Sequence, residues 1–107
     1  LQALQQHKKV EPLRTPGEAD LTAHVDFARL AHLAREAGLQ VHGPIGQGDF
    51  LRAPGIEFRA ETLAIANPAH AERLQRELRR LTHADEMGAL FKVICLSSPN
   101  LPPPAGF

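Results

Sequence analysis

The spacing of apolar residues changes several times along this chain, and each change predicts an element. Phe27, Leu30, Ala31, Ala34 and Ala37 recur at the spacing of one helical face. Asp26 stands where an N-cap carboxylate would accept from the free N–H groups of the first turn. Val25 and Leu30 are spaced for a hydrophobic staple across that start. Gly38 stands where a left-handed residue ends a helix. The pattern predicts a helix over 26–37. Leu39, Val41 and Ile45 then alternate as in a strand, predicted over 39–46. Pro44 has no N–H to give a ladder, so it belongs at a strand end, a bulge or an edge.

Beyond the strand, Gln47 to Ala53 fits one or two helical turns, ended by Pro54-Gly55. Ile56, Ala60, Leu63 and Ala64 share a face and predict a helix to Ala66. Asn67-Pro68 reads as an N-cap followed by proline at the first helical position. Ala71, Leu74, Leu78 and Leu81 form the apolar stripe of that next helix, so helices are expected within 56–81. Glu72 with Arg76, and Arg73 with Glu77, are spaced for ion pairs across one turn. Residues 82–88 read as a connector. The run Leu90–Leu96 is apolar on both faces except at Lys92, which predicts a strand covered on both sides. Residues 2–9 fit a short strand or a frayed helix equally, and Glu11–Gly17, with Pro12 and Pro16, reads as a loop. Residues 97–107 form a proline-rich tail.

Composition narrows the function classes. With 107 residues the chain has room for one domain at most. Lys plus Arg equals Asp plus Glu at 12 each, so no overall field favours nucleic acid or an anionic membrane. A single cysteine, Cys95, cannot make an internal disulfide and fits a reducing compartment. No apolar run reaches the roughly 20 residues of a membrane span, and no signal peptide is read. The first residue is Leu1 and the opening stretch has no cap, whereas the proline-rich end has the look of a natural terminus. The expectation is a piece whose N-terminal portion is missing.

Six histidines raise the question of a metal. His24 and His32 are eight residues apart, and no pair has the i, i+4 spacing of a helical zinc site, so none is expected. The arginines at 73, 76, 79 and 80 interleave with Glu72 and Glu77, with no aromatic nearby to stack on a base. They read as a solvated helix face. Gly43-Pro44-Ile45-Gly46-Gln47-Gly48 lacks the Lys-Ser/Thr ending of a phosphate loop and the spacing of a dinucleotide fingerprint. It reads as backbone geometry at a strand end. The other reading sets Gln47 at the mouth of a substrate cleft.

Three words of the sequence, DLTAHVDF at 20–27, VHGPIGQGDFL at 41–51 and GALFKVICLSSP at 88–99, resemble the MidA-like family of S-adenosylmethionine-dependent methyltransferases. That family includes a mitochondrial complex I assembly arginine methyltransferase. The resemblance runs along residues 1–107 but to the family's C-terminal portion alone. It implies an α/β fold, the C-terminal part of a Rossmann-like class I methyltransferase domain. Residues 39–46 and 90–96 would be its last two strands, antiparallel, with the helices of 56–81 inserted between them. It implies methyl transfer from S-adenosylmethionine, with protein arginine as substrate, in a bacterial cytoplasm or a mitochondrial matrix. The family's glycine-rich cofactor loop and its ribose-binding acid have no match here, so S-adenosylmethionine would be bound by the parent chain and not by these residues.

In that fold the segment before the helix would lie near the ligand-binding ends of the strands. Asp20, Thr22, His24 and Asp26 alternate there and, with Gln47, are the candidate cleft residues. Asp20, His24 and Asp26 are the acid–base candidates among them. The plainer reading makes Asp26 a helix cap, with Asp20 and Thr22 bonded to local backbone and His24 packed. A non-enzymatic α/β module that presents helix 68–81 to a partner is the competing reading of the whole chain.

Overall fold

A computed structural model describes residues 2–6, 8–14 and 17–107. The chain runs β1 (Gln2–Gln5), β2 (Lys8–Val10), β3 (Asp20–Thr22), α1 (Phe27–Glu36), β4 (Gln40–Gly46), α2 (Gln47–Arg52) and α3 (Ile56–Ala66). A 3₁₀ turn (Pro68–His70), α4 (Ala71–Thr82), α5 (Met87–Leu90) and β5 (Lys92–Ser97) complete it. Among the described residues the strands make two sheets. One is a three-stranded antiparallel sheet in the order β2-β1-β3, with β1 in the middle; the other is the antiparallel pair β4-β5.

The local signals around α1 act as read. The Asp26 carboxylate accepts from the Arg29 N–H at 2.9 Å. At the other end Gly38 has φ of 80°, its N–H donates to Arg35 O, and the Leu39 N–H donates to Ala34 O, each at 3.0 Å. Those two bonds form a Schellman closure, which uses carbonyls the helix would leave open. Ala31 and Ala34 are buried, and α1 packs beside β4.

The strand pair is antiparallel as expected, with His42 opposite Cys95 and Ile45 opposite Val93. Three steps on β4 match two on β5, so Gly43-Pro44 is a bulge that holds the proline off the ladder. The second strand is displaced from the expected 90–96 to 92–97. Leu90 closes the short helix α5, and it is the Phe91 N–H that bonds back, to Met87 O. A short apolar run cannot by itself separate a helical turn from a strand. The described residues of 2–10 form two antiparallel strands, β1 and β2, and not a helix.

Asn67 is not a side-chain cap. Its N–H donates to Leu63 O and its carbonyl accepts from the His70 N–H, so it closes α3 and opens the 3₁₀ turn; α4 starts only at Ala71. Both expected ion pairs of α4 form, Arg73–Glu77 at 2.8 Å and Arg76–Glu72 at 4.0 Å. The Glu77 hydrogen bond, and then its charge, hold the Arg73 guanidinium above its ordinary pKa.

The fully buried positions among the described residues are Ala3, Ala31, Ala34, Gly48, Thr82 and Gly88, with no large side chain among them. The radius of gyration is 18.0 Å, against about 13 Å for a compact domain of this length. The expected two-sided cover of the last strand is also incomplete. Val93, Ile94 and Cys95 are half-buried and Leu96 is exposed.

Candidate functional site

Asp20 and Thr22 lie on β3, opposite Leu4 and Gln2 of β1. Alternation along an extended strand sets the two on one face. A cavity of about 260 Å³ opens beside them, lined by Gln2, Thr22, Ala23 and His24. The structure thus joins Thr22 and His24 in one hollow, with Asp20 one alternation step further along the strand. All are exposed, as is Asp26. Asp26 has its carboxylate committed to α1 through Arg29, as the plainer reading had it.

Gln47 does not join that group. Its amide donates to Leu81 O at 2.9 Å, across to the end of α4. The Arg52 Nη2 donates to the next carbonyl, Thr82 O, also at 2.9 Å. Two side chains of α2 therefore satisfy carbonyls that the last turn of α4 leaves open, and the Arg52 cation meets the negative end of the helix. Arg52 also reaches Glu57 at 3.2 Å and Asp49 at 3.5 Å. Gly48 and Gly88 approach the same place, and a Cβ on either would overlap the Thr82 carbonyl.

This knot of α2, α4 and α5 explains the glycine-rich word better than a ligand does. Every close approach its backbone permits is taken by the chain itself. A Cβ at Gly43 would meet Val93 O and the Phe107 ring; one at Gly46 would meet Gly88 O. The bare backbone that a bound cofactor requires is not offered there, so these residues do not fit S-adenosylmethionine. Among the described residues no group of three or more His, Cys, Asp or Glu side chains could hold a metal ion.

The tail carries a feature the sequence reading missed. Phe107 returns to β4 and α2, with its ring centroid 5.3 Å from that of Phe50 and 6.1 Å from that of His42. His42 Nε2 lies 3.2 Å from the Ser97 hydroxyl on β5. The available signal was Gly106, whose φ of 98° turns the end of the chain inward against Phe50.

Residues 1–45 match a family described as "Putative S-adenosyl-L-methionine-dependent methyltransferase". The chain is 42% identical over 97 residues to the mitochondrial protein arginine methyltransferase NDUFAF7 homolog of Drosophila melanogaster, covering 88% of this chain and 22% of that protein. It is 35% identical to the NDUFAF7 proteins of Xenopus tropicalis and Homo sapiens, covering 94% and 84% of this chain and 25% and 21% of theirs. The chain therefore spans about a quarter of the length of these relatives. A solved structure, that of an uncharacterised protein from Burkholderia thailandensis, superposes with a TM-score of 0.85 at 25% identity, over 98% of this chain and 28% of the other.

Proposed function

We propose that this chain, which belongs over the length it spans to the MidA-like S-adenosylmethionine-dependent methyltransferases, is the C-terminal part of a domain that methylates protein arginine. The observation that carries the reading is a likeness extending along nearly the whole chain to one part of proteins about four times longer. An open architecture, without large buried side chains among the described residues, supports it, since a part of a domain has no core of its own.

On this reading the β4-β5 pair, with α1 beside it, completes a larger sheet. The β3 edge with Asp20, Thr22 and His24 faces the substrate cleft. S-adenosylmethionine is held by parts of the protein outside these residues, and it supplies the methyl group. Methyl transfer asks of the protein mainly that nucleophile and sulfonium be aligned and that a group accept a proton. His24, exposed at the hollow, is the candidate for that last task. The expected compartment is the mitochondrial matrix in a eukaryote, after the relatives named as mitochondrial, or the cytoplasm in a bacterium. No helix among the described residues is long and apolar enough to cross a membrane.

Calorimetry on two proteins tests the assignment. The intact protein is expected to bind S-adenosylmethionine and to transfer its methyl group to arginine in a protein acceptor. The 107 residues alone are expected to show no binding. Comparable affinity in both would overturn the placing of the cofactor outside this chain, and an intact protein that transfers nothing to arginine would overturn the activity.

A further inference from the structure

We propose that the groove between α3 and α4 docks an arginine-bearing segment of the protein substrate. The inference begins with α3, which is apolar on more than one side. Ala60 and Leu63 face α4, while Phe58 and Ile65 are each 75% exposed. Alongside Glu57, Arg59 and Glu61, α3 thus leaves apolar side chains in water, a surface with room for a partner. Helix α4 differs, because its outer face is filled by the Arg73–Glu77 and Arg76–Glu72 pairs and belongs in water.

On one flank of their contact the two helices leave a groove of about 550 Å³. Its apolar lining is Ala60, Ala64, Ala71, Ile65, Leu74 and Leu78. The small alanines let an incoming backbone approach closely. The rim carries Glu57 and Glu61 from α3 and Gln75 from α4, and no lysine or arginine lines the groove. Glu57 shares its carboxylate with Arg52, whereas Glu61 has no ion pair among the described residues. The groove on the other flank is mixed, with both Arg59 and Glu77 in its lining.

Charge selects the occupant. A second copy packed groove to groove about a two-fold axis would bring like carboxylates together, which is unfavourable. A segment with an apolar stripe and flanking cations answers both the apolar lining and the rim, in the helix-in-groove manner. The identity of the cation as arginine rests on the function proposed above; the groove's preference for a cation does not.

The test uses the intact protein without S-adenosylmethionine and a fluorescent synthetic amphipathic helix with leucine on one face and arginine on its flanks. A twin peptide has glutamate in place of each arginine. The arginine peptide is expected to bind at least about fivefold more tightly, with Glu61→Arg weakening it by roughly threefold or more, as for a partly exposed rim charge. Gln75→Arg, on the opposite wall, is expected to act in the same direction if Glu61→Arg compromises folding. Equal binding of the two peptides, insensitivity to both substitutions, or a dimer in sedimentation that buries the groove would each overturn the proposal. Methyl transfer is read separately. Transfer without peptide discrimination removes the groove and leaves the activity. Discrimination without transfer does the reverse.

Discussion

Single residues govern this chain where they settle the backbone's own hydrogen bonds. Asp26 is exposed, so its worth lies in the one bond it accepts from the Arg29 N–H. Asp26→Ala in the intact protein is expected to cost about 1 kcal/mol, and Asp26→Asn much less, because asparagine caps nearly as well. Thermal melts check this, and an unchanged alanine variant would mean that α1 begins elsewhere, with Thr22 the next residue able to cap it. The cap and its Gly38 counterpart were legible in the sequence because both act within a turn of their own helix. Asn67 looked equally clear but is not a side-chain cap. The motif offers a side chain without fixing the backbone that aims it, and its φ of −137° follows from closing α3. Gly48 and Gly88 were opaque for the opposite reason. What fills the space beside both is the Thr82 carbonyl, far along the chain from Gly48 and across the turn before α5 from Gly88, and no apolar periodicity records either approach.

At the scale of elements, the organising contact is the grip of α2 on the end of α4. Arg52 bonds Thr82 O while reaching Asp49 and Glu57, and Gln47 holds Leu81 O beside it. Thr82 is buried, so a carbonyl stripped of its donor there is poorly compensated by water. Arg52→Ala is expected to cost about 1–3 kcal/mol, the usual range for a buried polar group left unpaired. Arg52→Lys should recover only part of this, since a point charge cannot serve three acceptors as a fork does. Hydrogen exchange checks the location: protection should fall in the last turn of α4 and in α5, with α1 unaffected. A uniform loss across α1 and α4 would show that the contact has no local role. The same contact explains the displaced strand. With Gly88 seated against Thr82, the chain is still turning at Leu90, and the apolar run becomes extended only afterwards.

The whole molecule is governed by what it leaves uncovered. With a radius of gyration of 18.0 Å and two separate sheets, the described residues leave much apolar surface uncovered. Strand β5 pairs with β4 alone among the described residues. Leu30 and Leu33 of α1, and Leu90 and Phe91 before β5, stand open to water. The sequence held this information: Leu90–Leu96 carries the composition of a strand covered on both sides, and the chain supplies too little to cover it. Such an edge, with its unpaired N–H and C=O groups beside apolar side chains, is a template for further strands. The isolated residues 1–107 are therefore expected to self-associate or precipitate at concentrations on the order of tens of micromolar, where exposed edges begin to pair. On the proposed reading the intact protein should remain monodisperse under the same conditions, with neighbouring strands and helices on those faces. Sedimentation velocity decides between the two states. A cooperative, stable monomer from the isolated chain would mean that these residues fold as a domain in their own right. The reading of β4 and β5 as the border of a larger sheet would then give way to that of an independent interaction module built on α3 and α4.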